Sequence, residues 1–295
     1  MRRWLTAAAL GGVAALVLAG CANPAGVDGN LLDDWPALEE PKQFVPDVEA
    51  CHPIHRDIGY LSSYQPVDCA EEHRVETVHV GTFTDESAEL TKPPASGSPA
   101  RRTAWSECDK KATELLGGEW RSALLDVTLV LPSPEGWSGG ARWFRCDLGE
   151  TTNLDDRRLR KRAGSLKDAL RKTSPLSLGC FNPQLVDKKI GSMKPVACNK
   201  PHHSEFAGIY TAPDQTWKAL QKNHETLHRQ CRKVIAKYAK LPERNIEYRT
   251  GTIMYYPSEE NWAEGDRGIR CFLWRDDRKL TKSVKGGGAT LLPVS

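Results

Sequence analysis

The run Pro66-Val67-Asp68-Cys69, followed by His73 and Glu76, returns as Pro195-Val196-Ala197-Cys198, followed by His202 and Glu205. The agreement extends in both directions. One set of cysteines is Cys51, Cys69, Cys108 and Cys146 and the other Cys180, Cys198, Cys231 and Cys271, so equivalents stand 129, 129, 123 and 125 residues apart. Farther on, Pro132-Ser133 leads to Trp137, Gly140, Arg142, Arg145 and Cys146, while Pro257-Ser258 leads to Trp262, Gly265, Arg267, Arg270 and Cys271. Self-similarity at a fixed spacing reads as a tandem duplication, so whatever one copy folds into, the other is expected to repeat.

Cys21 belongs to neither set. Met1-Arg2-Arg3 is a positive start, Trp4 to Ala19 an apolar run, and Leu18-Ala19-Gly20 places small residues before Cys21, the pattern of a lipoprotein signal. The run is short beside the ~20 residues of a membrane span and stops at the Gly-, Pro- and Asp-containing segment from Cys21 to Asp34. The expectation is cleavage of residues 1–20 and lipidation of Cys21 by palmitate-type acyl chains. This would hold the chain to the cell membrane on its extracytoplasmic face, since two acyl chains suffice for stable anchoring.

Without residues 1–20 the chain keeps 275 residues, and the loss of Arg2 and Arg3 lowers its formal charge from +3 to +1. No global charge draws it to nucleic acid. The length fits two domains, each with a modest core that gains from a covalent staple. In an exported chain, the even set of eight cysteines reads as disulfides. Cys69 with His73 and Cys198 with His202 have the spacing of half a zinc motif, but no second close pair completes a tetrahedral set, and neither metal nor cofactor is expected.

Trp217, Leu220, His224, Leu227, Cys231, Val234 and Tyr238 recur at steps of three and four, one face of a helix of about 24 residues. Trp105, Cys108, Ala112 and Leu115 give a shorter version. Residues 75–83, 124–131, 204–211 and 246–256 read as strands. The last strand of each copy alternates, with Phe144, Cys146 and Leu148 on one face of the first and Ile269, Cys271 and Leu273 on one face of the second. An inward cysteine on the helix and another on the strand beneath it favour Cys108 with Cys146 and Cys231 with Cys271. Cys51 with Cys69 and Cys180 with Cys198 would then close loops of 18 residues. Four cysteines per copy permit three connectivities, and the spacing does not choose among them. The order strand, helix, strand, strand predicts an α+β fold of two disulfide-stapled domains, each a small antiparallel sheet with a helix on one face.

The expected layout is a flexible tether over 21–48, a first domain over 49–150, a basic connecting helix over 151–175, a second domain over 176–278 and a tail over 279–295. Residues 85–102 read as an irregular insertion whose counterpart, 212–215, is much shorter. The connecting segment carries Arg157, Arg158, Arg160, Lys161, Arg162, Lys167, Arg171 and Lys172. It reads as a solvated helix, or as a patch for anionic headgroups or acidic wall polymers.

His73 with Glu76 and His202 with Glu205 are the candidate chemical residues. On a strand an odd separation sends two side chains to opposite faces, so they cooperate only if the histidine lies in the preceding turn. Their expected work is to hold the turn after the disulfide. Neither copy has a Gly-rich phosphate loop, a nucleophile elbow or a metalloprotease helix motif, so the residues name no catalytic group. Trp137 and Trp262 are expected to close the ends of small cores, the other reading being presentation to a glycan.

The repeated pattern resembles the septum-formation domain of actinobacterial secreted and membrane proteins. The second copy carries Leu178-Gly179-Cys180-Phe181, Val196-Ala197-Cys198-Asn199-Lys200-Pro201-His202, Glu205, Cys231, Pro257, Trp262, Gly265-Asp266-Arg267 and Cys271. The first departs from it, with Ala50-Cys51-His52 at the first cysteine and Glu72 where a proline precedes the histidine. The resemblance implies a role in division or envelope assembly and supplies no reaction or ligand. The functional expectation is a lipid-anchored binding or scaffold protein whose partners are other envelope or division proteins. The rival is a secreted hydrolase or metal-dependent enzyme using one of the His/Glu pairs.

Overall fold

The computed structural model describes residues 44–54 and 64–294. The expected signal peptide, Cys21 and most of the tether lie outside them. Phe44–Ser295 is one compact unit. The body begins before residue 49, because Phe44 stacks on Tyr64 and Trp143 and the Glu49 N–H donates to the Thr77 carbonyl.

The first half contains β1 (Cys51–His52), β2 (Val75–Thr82), α1 (Asp85–Ala88), α2 (Pro99–Leu116), β3 (Leu125–Val130), α3 (Pro134–Ser138) and β4 (Trp143–Glu150). The second contains β5 (Cys180–Val186), β6 (Lys189–Val196), β7 (Ser204–Thr211), α4 (Trp217–Lys222), α5 (His224–Ala239), β8 (Gly251–Tyr255), α6 (Glu259–Glu264), β9 (Gly268–Trp274) and α7 (Gly288–Leu291). The antiparallel sheets run β1-β2-β4-β3 and β6-β5-β7-β9-β8. A helix packs on one face of each, the α+β arrangement anticipated from the sequence.

Alternation puts Phe144, Cys146 and Leu148 under α2, in a core with Trp105, Cys108 and Ala112. Ile269 and Cys271 lie under α5 with Leu227 and Cys231. Disulfides join Cys108 to Cys146 and Cys231 to Cys271 across these layers, and Cys51 to Cys69 and Cys180 to Cys198 at the strand entrances. Both sheets are bulged at the same place, between Thr77 and His79 and between Phe206 and Gly208. Such an extra residue bends a strand and increases its twist over the helix.

Several local expectations change. The helix read as continuous from Trp217 breaks at Asn223, which ends α4 and begins α5. α2 starts inside the segment read as irregular, because the Ser98 hydroxyl accepts from the Arg101 N–H and Pro99 occupies the first turn, where a missing N–H costs nothing. β8 starts five residues later than expected, because Ile246 turns into the core instead of extending. The hairpin of β5 and β6 is additional. Its turn residues Asp187 and Lys188 have φ of 49° and 63°, the left-handed pair that matches strand twist in a two-residue hairpin.

No helix forms over 151–175. The segment runs extended, exchanging backbone hydrogen bonds between Arg162 and His73, and then sends Leu166 into the first core. It closes the first half. Six of its eight basic residues form ion pairs, Arg157 with Asp126, Arg158 with Asp156, Arg160 and Arg162 with the one carboxylate of Glu150, Lys161 with Glu72 and Arg171 with Asp168. Residues 279–295 are not a loose tail either: Leu280 exchanges backbone bonds with His202, and Leu280, Val284 and Leu292 are buried in the second half.

The halves are joined by buried charge. Arg121 reaches from the first half to Asp266 at 2.8 Å, and Arg101 to Glu264 at 2.8 Å. Arg270 donates back to the Arg121 carbonyl at 2.8 Å. Gly268 makes room for the crossing, since a Cβ there would lie 2.2 Å from Cδ of Arg121. Among the described residues no helix is long and apolar enough to cross a membrane.

Candidate functional site

His202 lies in the turn before β7 and Glu205 on its second residue, so both side chains fall on the helix side of the sheet. Nδ1 of His202 faces the Lys200 carbonyl at 2.7 Å and Nε2 faces Oε1 of Glu205 at 3.0 Å. The Glu205 carboxylate also accepts from the Tyr238 hydroxyl at 2.7 Å, the Ser283 hydroxyl at 2.8 Å and the Val284 N–H at 2.9 Å. Burial, and then the neighbouring Glu205, raises the Tyr238 pKa far above the ordinary tyrosine value, which keeps that hydroxyl a donor.

His73 and Glu76 occupy the matching places without meeting. Nδ1 of His73 faces the Glu71 carbonyl at 2.8 Å, while its buried Nε2 has no hydrogen-bond partner. Glu76 accepts from the Ser165 hydroxyl and the Leu166 N–H, both at 2.7 Å. Leu115 stands two residues before the left-handed cap of α2, where Tyr238 stands before that of α5, so the first carboxylate lacks a phenol donor. The run Ser165-Leu166-Lys167-Asp168 thus serves Glu76 as Ser283-Val284-Lys285-Gly286 serves Glu205. Asp168 and Gly286 both have positive φ, and their N–H groups bond Leu115 and Tyr238. Short serine-containing runs are too common to be read this way from sequence.

Ligand atoms of Cys180, His202 and Glu205 lie within 4.8 Å of one another. The Cys180 sulfur is already bonded to Cys198, and the Glu205 oxygens already receive donors, so this group does not present a free ligand set.

Ser133 and Ser258 cap α3 and α6, which carry Trp137 and Trp262. Each indole N–H donates to a backbone carbonyl, of Leu90 and of Gln215. Arg142 and Arg267 lie over the rings at 4.3 and 4.2 Å. With exposures of 0% and 2% the rings present no face to a glycan. On the sheet face away from α2, a buried chain runs from His52 through Thr77 to Asp147 and Arg145. The second half has Phe181, Phe206 and Phe272 stacked at the matching positions. The offset of 129 sets His52 opposite Phe181, which was the available sequence signal.

The septum-formation family model matches residues 49–271, which is more than half of the chain and runs through both halves. The chain belongs to that family. No characterised protein and no solved structure matches it significantly.

Proposed function

We propose that this is a lipid-anchored cell-surface protein, a tandem duplication of one stapled unit, that binds or scaffolds envelope or division proteins during septum formation. Acylated Cys21 would hold it on the extracytoplasmic face of the cell membrane. The observation that carries the reading is that the shared His, Glu and Trp positions all point inward, with exposures of 2% or less, so the outer surface is left to recognise partners. The septum-formation family supplies the process. The enzyme reading lacks an accessible pair: His202 and Glu205 are both 0% exposed, and His73 and Glu76 are 0% and 2% exposed.

The test is crosslinking on intact cells combined with imaging of a fusion protein and depletion of the chain. Enrichment at septa, capture of envelope or division proteins and abnormal septa on depletion are expected. A uniform distribution with normal septa after depletion would remove the septal role.

A further inference from the structure

Leu185 and Val186, with exposures of 55% and 61%, are the only consecutive pair among the exposed large hydrophobic residues described. They end β5 at the tip of the additional hairpin, paired across it with Ile190 and Lys189. The turn between them is Asp187-Lys188, with both residues in the left-handed region. Asn-Gly is the usual sequence for such a turn, so placing Lys188 there accepts backbone strain to hold a cation at the apex. Among the described residues neither Lys188 nor Lys189 has an ion-pair partner. Two apolar side chains stand beside two lysines and one carboxylate, Asp187, so the tip is apolar with one net positive charge and matches a bilayer interface, where apolar groups enter the acyl boundary and lysines meet phosphates.

A second observation adjoins the first. Lys189 and Ile190 form one wall of a cleft of about 870 Å³, whose other walls include His224, His228, Tyr256 and Trp274. Asp155, the carboxylate in this cleft, is taken up by the Tyr255 hydroxyl and the Met193 N–H. Lys189 is the unpaired cation of the cleft's lining, beside the imidazoles of His224 and His228, the aromatic rings of Tyr256 and Trp274 and the apolar side chains of Ile190, Ile253 and Met254, a mixed surface that an anionic headgroup with its acyl chain can fit. We propose that the β5–β6 hairpin tip and this cleft form a docking surface for an anionic lipid bilayer, so that the body lies on the membrane instead of hanging from it. The proposal rests on the reading that the chain works at a membrane, but its contact is separate from Cys21.

The test is co-sedimentation of the disulfide-intact body, residues 44–295, which is a compact unit with its own cores, with vesicles. Phosphatidylglycerol vesicles should retain the body and pure phosphatidylcholine vesicles should not, with retention falling as salt rises. Lys188→Gln with Lys189→Gln should weaken partitioning by about 25-fold, at roughly fivefold per basic residue. Leu185→Asp with Val186→Asp should abolish it while melting like wild type, since both positions are exposed. No retention by anionic vesicles overturns the proposal, as does undiminished retention of both variants, or self-association through the tip without vesicle binding. Labelling of Cys21 with a fatty-acid analogue is read separately, so loss of this surface and loss of the anchor give different results.

Discussion

Nε2 of His202 and Oε1 of Glu205 stand 3.0 Å apart, and neither side chain reaches solvent. The contact joins the turn after one disulfide to the closing segment of the second half, because the same carboxylate holds Ser283 and Val284. Glu205→Ala would strand the Tyr238 and Ser283 hydroxyls and the Val284 N–H and remove the partner of His202, and breaking such a buried set should cost about 3–5 kcal/mol. Glu76→Ala, which releases only Ser165 and Leu166, should cost about 1–3 kcal/mol. Denaturant midpoints with unchanged m-values check the ranking, and equal losses would refute it.

Arg121 is the buried cation at the junction, bonded to Asp266, which is 2% exposed. Arg121→Ala should destabilise the body by about 3–5 kcal/mol. Gly268→Ala should act in the same direction by pushing Arg121 aside. Arg102→Ala, which breaks an exposed pair with Asp214, should cost under about 1 kcal/mol. Calorimetry of all three variants is the measurement.

Non-reducing peptide maps should return the four pairs seen here. Replacing Cys231 and Cys271 together by alanine should lower stability by about 2–5 kcal/mol, as for native bridges of small secreted domains. A Cys69–Cys108 peptide would contradict the pairing.

His228 contributes a pH dependence. Burial first, then Arg232 and His224, lower its pKa below the ordinary value of 6.5. On acidification the unfolded chain therefore takes up this proton before the folded one, so stability falls as pH drops below about 6.5. His228→Asn should flatten the difference in denaturant midpoint between pH 7 and pH 5.5. An unchanged slope would assign that dependence to other groups.

Lipidation is read on cells. A fatty-acid analogue should label the wild type and not Cys21→Ser, and equal labelling of the two would remove the anchor from the proposal.

The cysteine frame and period-two strands were legible because each sheet has one face under a helix, and alternation records that directly. The His and Glu positions were legible from their recurrence in both copies, and their common side only by placing the histidine in the turn before the strand. The strap at Ser165-Leu166 was not, because its run of arginines has the composition of a solvated helix while its backbone bonds are made to residues far away in the chain. The His52–Thr77–Asp147 chain escaped because a buried polar network has no periodicity. The β5–β6 turn escaped because Asp187-Lys188 lacks the glycine that announces a left-handed turn.

Each half is closed by a bond to a late-arriving residue: Ser165 lies 89 residues after Glu76, and Ser283 lies 78 residues after Glu205. A chain synthesised from its N-terminus therefore carries each carboxylate without its strap donors until that half is nearly complete. Products broken off before Ser283 would keep His202 and Tyr238 against Glu205 but lack the Ser283 hydroxyl and the Val284 N–H that complete its set of partners. The last donors to each buried carboxylate are therefore also among the last residues of its half to be made, so each half is completed only when its strap arrives.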